Sequence, residues 1–500
     1  MKDLKERTIR GGFAKVCAQI ANFVLRLGSL MILARLLDPA SFGIVGMATA
    51  VVGVLQLFKD FGLSTAAVQH ATVTENQHST LFWINLLVGA LLMCIAVAAA
   101  PIIAALYREP RLFWVTIVLA TGFLFNAAGV QHLALLQREM RFTAIAAIET
   151  ISLVTSTLLG IVVALGGFGF WALVVTAITN PLVSTVCMWL ITGWIPGPPR
   201  KKAGTRSMLR FGGTITLNGI IAYVAFNLEK VLLGRFWGAD AIGMYGRAYQ
   251  LINIPTGNLN SAVGEVAFSA LSRVRDDPKR FRRLFIKGYS LVLTLTIPIT
   301  FVCTLFASDV VRVVLGPQWI AATPILRLLA PTIFIFSVIF PLGWLLYSLG
   351  LVGRSLRIAL VFAPIMIAGY ILALPYGPEG VAFAYSAVMT LWVVPHVLWC
   401  LHGTVVRPRD IALAVSRPLG ASLAAGALAL GVRFLCGESM SVVARLLIES
   451  TSLVLGYCSI LFFATGQKSF YLELVRELRS SSGKVSSLVS ASQTIEQRTI

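Results

Sequence analysis

Long apolar stretches, separated by short polar links, follow one another along almost the whole chain. A helix that spans a membrane needs roughly 20 mostly apolar residues. Stretches of that kind are predicted at residues 12–36, 42–58, 80–106, 112–134, 143–165, 168–194, 208–233, 241–265, 285–307, 319–348, 354–374, 379–402, 411–434 and 443–465. The pattern therefore predicts an all-α membrane protein with about fourteen transmembrane helices.

The composition supports this class of protein. Hydrophobic residues make up 57% of the 500 residues and charged residues 12%, whereas charged residues are about 25% of a typical soluble protein. The net charge of +20 would suggest nucleic-acid binding in a soluble chain. In a membrane protein, basic links that face an anionic leaflet explain the same charge. Nucleic acid is therefore not expected as a partner.

The distribution of basic residues predicts the orientation. Most of the 41 lysines and arginines lie in the termini and in alternate links such as QREMR, WIPGPPRKKAGTRSMLR, SRVRDDPKRFRRLFIK and RPRDIALAVSR. Because lysine and arginine are enriched in cytoplasmic links, both termini are predicted to be cytoplasmic. The tail, residues 467–500, is rich in serine and charge and is expected to be mobile.

The chain contains an internal repeat at a spacing of 200 residues. The stretch LARLLDPASFGIVG (33–46) is matched by LGRFWGADAIGMYG (233–246), with leucine, arginine and two glycines at the same places. Six spans separate the two stretches, so the halves enter the membrane in the same direction, as parallel repeats. The prediction is an N-terminal six-helix lobe (1–200), a C-terminal six-helix lobe (201–405), two additional helices (406–466) and the tail (467–500). The repeated glycines are interpreted as turns or places of close backbone approach.

Charged and polar side chains inside the predicted spans are the candidate functional residues. A lysine or arginine at the bilayer centre costs roughly 2.5–3.5 kcal/mol, so it normally faces a cavity or a partner. The first span carries four such residues on or beside one helical face, and the eighth span carries Arg247, Asn258 and Glu265 on one face. Snorkelling toward the interface is the alternative for Lys15 and Arg247. The residues predicted to line a substrate cavity are Arg26, Lys15, Asn22, Gln19, Arg247 and Asn258.

The sign of these charges favours one class of substrate. Glu229 and Lys230 are interpreted as a local ion pair near the outer surface, so the candidate cavity groups are mostly cationic. A pathway for a cationic drug would need mostly acidic side chains in the cavity. Fixed positive charge suits phosphate esters, because arginine forks onto phosphate oxygens and lysine acts as a point charge.

Sequence motifs for catalysis are missing. The chain has no GxxxxGK[ST] loop for nucleotide phosphates, and its seven cysteines form no CxxC pair or metal-ligand spacing. It also lacks the carboxylate pair on an outer link that a membrane glycosyltransferase or polymerase needs. The chain is therefore not predicted to be an enzyme, and no cofactor or metal is expected.

Three stretches resemble a known family. LARLLDPASFGIVGMATAVVGVLQLFKDFGLSTAAVQ (33–69), FWINLLVGALL and LLQREMRF are similar to the bacterial polysaccharide exporters, the Wzx-like flippases of the multidrug/oligosaccharidyl-lipid/polysaccharide superfamily. The resemblance implies the fold of that superfamily and location in the bacterial inner membrane. The family's basic cavity residues correspond loosely to Lys15 and Arg26, whereas the positions 200 residues later, Ile215 and Phe226, are apolar.

The function that the resemblance implies is flipping of an undecaprenyl-diphosphate-linked oligosaccharide, for exopolysaccharide, capsule or lipopolysaccharide synthesis. The lobes would alternate in access, with the diphosphate bound by Arg26 and by Lys15 and Arg247. The partners would be this lipid-linked substrate, the bilayer, and a polysaccharide polymerase and co-polymerase. Two alternatives stay open: a cation-coupled drug exporter, which would need an acidic cavity, and a membrane polymerase or ligase, which would need an outer catalytic loop.

Overall fold

The computed structural model describes residues 21–58, 75–139, 141–199, 206–436 and 440–464. These residues form helices joined by short loops, and none of them lies in a β-strand. The first lobe consists of α1 (described for residues 21–36), α2 (Pro39–Gln56), α3 (Glu75–Tyr107), α4 (Arg111–Arg138), α5 (Phe142–Leu165) and α6 (Trp171–Thr192).

The second lobe begins with the long helical segment Arg206–Arg273, which is two helices because Gly238 within it has φ 82° and ψ −171°. We call the part before Gly238 α7 and the part after it α8. The other helices are α9 (Pro278–Leu305), α10 (Ala307–Val314), α11 (Thr323–Leu329), α12 (Pro331–Ser348), α13 (Val352–Ala373), α14 (Gly377–Leu401), and then the two additional helices α15 (Pro408–Cys436) and α16 (Val442–Ser459). The additional pair packs against α9 and α10 of the second lobe.

Ten segments of the described chain are long and apolar enough to cross a membrane, and one of them, Val352–Leu401, contains both α13 and α14. The more polar α7 and α8, together with α1, bring the membrane helices to about fourteen. The predicted fold, two parallel six-helix lobes and two further helices, is confirmed.

The predicted span 319–348 is interrupted in the structure. It consists of a 3-10 turn at Pro317–Ala322, then α11 and then α12. Each piece has a proline at one of its first positions, where the missing N–H and the fixed φ are tolerated, whereas the same proline would break a continuing helix. A single helix was therefore the wrong prediction for this segment.

In each half, the first two helices meet at a corner, and the two corners are formed by different residues. In the first half, Asp38 caps α2: its Oδ1 accepts a hydrogen bond from the Ser41 N–H at 3.2 Å, and Pro39 occupies the first turn. In the second half the equivalent position is Gly238, whose positive φ is easily adopted without a Cβ. We call the end of the bundle that carries these corners the corner end. The end that carries loops 274–277 and 402–407 is called the basic end.

Candidate functional site

A cavity of about 720 Å³ lies between the two lobes. This size is within the range of about 300–1,000 Å³ that is usual for ligand pockets. Its walls come from α1, α2, α5 and α6 of the first lobe and from α7 and α8 of the second. The polar and charged residues that line it are Arg26, Ser29, Thr49, Thr176, Lys230, Arg247, Gln250 and Asn253.

Arg26 reaches the cavity because α1 is fixed against α5 by hydrogen bonds on an adjacent face. The Thr150 hydroxyl donates to Asn22 Oδ1 at 3.0 Å, and the Thr157 hydroxyl lies 3.2 Å from Ser29 Oγ, two turns further on. Arg26 lies between these contacts and is exposed. No described residue forms a hydrogen bond or ion pair with its guanidinium, which is therefore available to an anion in the cavity.

Arg247 enters the cavity from the second lobe and contacts the first. Its guanidinium carbon lies 3.7 Å from the centre of the Phe42 ring on α2, and its Nη1 donates to Gln250 Oε1 one turn along α8. Stacking on an aromatic face and a side-chain acceptor together hold the guanidinium in place. Phe42 is itself packed against Trp319, with ring centroids 5.3 Å apart.

Lys230 is a cavity residue that the sequence did not identify. Its Nζ donates to Asn227 Oδ1 at 2.7 Å and lies 5.1 Å from the centre of the Tyr249 ring. Glu229 is not among the cavity-lining residues: it is fully buried, and neither carboxylate oxygen has a hydrogen-bond partner among the described residues. The predicted local ion pair near the outer surface is therefore wrong. Adjacent residues on a helix do not face each other.

Of the other four predicted site residues, one does not line the cavity and three fall outside the described part of the structure. Asn22 is 6% exposed and is not among the residues that line the cavity, because its amide oxygen is engaged with α5. Lys15 and Gln19 lie outside the described residues, and so does the side chain of Asn258 on α8. Of the six, the structure brings Arg26 and Arg247 together in one cavity.

The charge balance of the cavity limits what it can bind. Three cationic side chains line it, and no aspartate or glutamate is among its described lining residues. Phosphate oxygens would accept charge-assisted hydrogen bonds from these cations, and the hydroxyl and amide side chains are suited to neutral sugar hydroxyls. In the described part of the chain, no group of three or more His, Cys, Asp or Glu side chains could hold a metal ion.

The cavity is closed at the corner end by the repeated glycines. A methyl group on Gly43 would overlap the carbonyl of Ala239, and one on Gly243 would overlap the carbonyl of Pro39. The two contacts are related by the 200-residue repeat, as expected for halves that meet about a twofold axis. The predicted close approach of these glycines therefore occurs between the lobes, not between the first two helices of each half.

Side chains reinforce this closure. Trp319 is fully buried, and its indole Nε1 donates to the carbonyl oxygen of Ala34 at 2.7 Å. Arg35 in turn donates from Nη2 to the carbonyl oxygen of Val313 at 2.8 Å. Residues of α1 thus bind the segment around α10 and the 3-10 turn of the second lobe, just beyond the cavity.

Comparison with known proteins gives a family and a fold. The model of a family described as "Polysaccharide biosynthesis protein" matches residues 32–324. The lipopolysaccharide biosynthesis protein WzxC of Escherichia coli (strain K12) is 28% identical over 399 residues, which cover 78% of this chain and 80% of WzxC. The succinoglycan biosynthesis transport protein ExoT of Rhizobium meliloti (strain 1021) is 27% identical over 317 residues, which are 63% of this chain and 64% of ExoT.

Among solved structures, the inward closed conformation of the lipid II flippase MurJ superposes with a TM-score of 0.72 and 15% identity. The match covers 92% of this chain and 99% of MurJ. At this identity the likeness shows the fold alone.

Proposed function

The chain belongs to the polysaccharide biosynthesis protein family, and from this premise we propose that it flips undecaprenyl-diphosphate-linked oligosaccharide repeat units across the bacterial inner membrane. The units would serve the synthesis of an exopolysaccharide, a capsule or a lipopolysaccharide. The relatives named for lipopolysaccharide biosynthesis and for succinoglycan transport support this class of substrate.

The observation that carries the proposal is the charge of the cavity between the lobes. Arg26 and Arg247 come from opposite lobes, Lys230 adds a third cation, and the described lining has no carboxylate. A diphosphate bears negative charge at its membrane-facing end and needs such partners once it leaves water. A cation-coupled drug exporter would need acidic side chains in the same place.

The mechanism follows from how the three cations are held. Arg247 is fixed on Phe42 and Gln250, so it offers its remaining N–H groups without much loss of conformational freedom. Arg26 approaches from α1, and the diphosphate bridges the two. Sugar hydroxyls bind the neutral polar residues of the walls, while the polyprenyl chain stays in the bilayer between helices.

Transport requires that the corner end opens. We place the basic end and both termini in the cytoplasm, because lysine and arginine are enriched in cytoplasmic links. In the closed arrangement the substrate enters from the cytoplasmic side. Rocking of the lobes then separates Gly43 from Ala239 and Gly243 from Pro39 and releases the headgroup on the far side.

The reaction is a change of leaflet without covalent chemistry, so the protein acts as a transporter and not as an enzyme. A polysaccharide polymerase and its co-polymerase would use the delivered repeat units on the outer side.

Loss of Arg26 tests the proposal in cells. In a strain that lacks the chromosomal gene, expression of the Arg26→Ala variant should fail to restore polymer export. Lipid-linked repeat units should accumulate in the inner leaflet, because the diphosphate loses a charge partner in the cavity. Polymer is measured by sugar analysis, and leaflet location by access of a membrane-impermeant lectin.

The matched control is Arg327→Ala, which removes an exposed arginine from α11 that does not line the cavity and should leave export intact. Equal amounts of both variants in the membrane exclude a folding defect. Unchanged polymer output from Arg26→Ala would contradict the assigned role of Arg26. Repeat units that accumulate in the outer leaflet after gene deletion would indicate a polymerase instead.

A further inference from the structure

A second, larger groove of about 990 Å³ lies at the basic end, outside the cavity between the lobes. It is formed by the first three turns of α9 and by the loop that leads into α15. The charged residues that line it are Lys279, Arg282, Arg283, Lys287, Arg407 and Asp410.

One face of α9 supplies most of this lining. The positions 279, 282, 283, 286 and 287 follow the i, i+3, i+4, i+7, i+8 spacing of a single helical face. The opposite face carries Phe281, Phe285 and Tyr289, which are at most 1% exposed. The orientation of the basic face is therefore fixed by the core.

The concentration of charge on this face does not help the helix to fold. Lys279 and Arg283 are four residues apart, and so are Arg283 and Lys287, and like charges at that spacing destabilise a helix. Asp277 caps the positive end of the α9 dipole by accepting the backbone N–H groups of Lys279 and Arg280, but it does not line the groove. An anion in the groove would remove this cost.

Among the described residues that line the groove, Asp410 carries the one carboxylate, and this carboxylate is already engaged. Arg282 Nε donates to Asp410 Oδ2 at 2.7 Å, and a second guanidinium nitrogen contacts Asp410 Oδ1. Asp410 Oδ2 also accepts the backbone N–H of Arg407 at 3.0 Å, which holds the loop in place. This pair is neutral in sum, and Lys279, Arg283 and Arg407 leave the groove positively charged.

The groove also lies at the membrane surface. It sits where two membrane-spanning candidates, Pro278–Leu305 and Pro408–Leu435, begin. Ile286 and Val405 give it an apolar floor. Leu413, three residues after Asp410 on α15, is 49% exposed and continues the apolar surface toward the bilayer core.

We propose that this groove binds the phosphodiester headgroup of an anionic phospholipid such as phosphatidylglycerol. Lys279, Arg283 and Arg407 surround the phosphate, and the acyl chains pass Leu413 into the bilayer. Basic pockets between membrane helices bind lipid headgroups in this way. The site is separate from the transport cavity and does not depend on which substrate is carried there.

Native mass spectrometry of the full-length protein in mild detergent tests this site. Phosphatidylglycerol should bind more tightly than phosphatidylcholine to the wild type. The triple variant Lys279→Gln, Arg283→Gln, Arg407→Gln should lower the affinity for phosphatidylglycerol on the order of 100-fold, since each basic residue near a membrane surface contributes about fivefold. All three side chains are exposed, so thermal unfolding should not change.

The matched control is Arg273→Gln, Arg275→Gln, Arg280→Gln, which removes the same charge from exposed positions at the basic end that do not line the groove. This control should change the affinity for phosphatidylglycerol by less than about twofold. It therefore separates the effect of losing the groove residues from the effect of lowering the net charge of the protein. An equal loss in this control, or none in the groove variant, overturns the proposal. Displacement of the lipid by inorganic phosphate identifies a free anion as the ligand, and binding that appears only after removal of residues 467–500 identifies the tail as the occupant. Either result also overturns it.

Discussion

Three cationic side chains from three different helices share one cavity, and none of them has a cationic counterpart in the other half of the repeat. The residues at a 200-residue offset from Arg26, Lys230 and Arg247 are Phe226, Leu30 and Met47. The cations therefore form a single asymmetric cluster, suited to one anionic group bound at one place.

Replacement of Lys230 tests this cluster by binding alone. Lys230→Met keeps the length of the side chain and removes its charge, so affinity for a short-chain polyprenyl diphosphate should fall about 10- to 100-fold. This range corresponds to the loss of one charged hydrogen bond, about 1.5–3 kcal/mol. Isothermal titration calorimetry of the purified protein measures the change.

The repeat supplies the control for this experiment. Leu30 lines the same cavity at the position equivalent to Lys230, and Leu30→Met conserves its volume and apolar character. This variant should bind the diphosphate within about twofold of the wild type. A Lys230→Met protein that binds as tightly as the wild type would remove Lys230 from the site.

The sequence predicted part of this cluster. Arg26 could be chosen because a central arginine in an apolar span needs a polar environment, and Arg247 because it shares a helical face with Asn258. Lys230 was paired with Glu229 because the two are adjacent in the sequence, and only the packing of α7 shows that Lys230 lines the cavity whereas Glu229 is fully buried. Asn22 was placed on the cavity face because the sequence does not show which helix packs against α1. In the structure that helix is α5, and the Thr150 hydroxyl donates a hydrogen bond to the Asn22 amide oxygen.

Among the elements, the additional helices α15 and α16 are fastened to the second lobe by a buried ionic cluster. Asp309 on α10 is fully buried and accepts a hydrogen bond from Arg445 Nε at 3.2 Å. Arg433 on α15 lies 3.8 Å from Asp309 Oδ2 and 3.8 Å from Glu449 Oε1. The cluster thus joins α10 to the consecutive helices α15 and α16, and its residues Asp309 and Arg445 are 136 positions apart in the sequence.

Removal of Arg445 should destabilise the protein strongly. Arg445→Ala leaves the buried carboxylate of Asp309 without its hydrogen-bonding partner, which should lower the free energy of unfolding by about 3 kcal/mol. The midpoint of thermal unfolding in detergent reports the change. The double variant Asp309→Asn, Arg445→Met should recover most of the loss, and Arg312→Ala, an exposed neighbour on α10, should have little effect. Equal melting of Arg445→Ala and the wild type would contradict the role of the cluster.

The long elements were predictable and the short ones were not. Apolar runs near 20 residues predicted most helices to within several residues, because the bilayer sets both their length and composition. The short α10, only eight residues long, carries Asp309 and Arg312 and was assigned to an outer link. It is buried against α16, the 3-10 turn and α11, which no local pattern reveals.

In the whole molecule, the two halves meet at the corner end through the residues that first revealed the repeat. A repeat at 200 residues shows that Gly43 and Gly243 are equivalent, but equivalence does not show that each packs on the other half. The structure supplies that contact. In the proposed mechanism this contact is the closed gate of the passage, and the cations that would bind the anionic headgroup lie just behind it.

Transfer of the substrate in a reconstituted system is the most direct test of this account. Purified protein in liposomes should move a fluorescent undecaprenyl-diphosphate-linked oligosaccharide between leaflets, measured as exposure to a membrane-impermeant quencher. The variant Arg26→Ala, Lys230→Met, Arg247→Ala should insert and fold like the wild type but show the rate of protein-free vesicles. Transfer by this variant at the wild-type rate, or wild-type transfer no faster than in protein-free vesicles, would contradict the account.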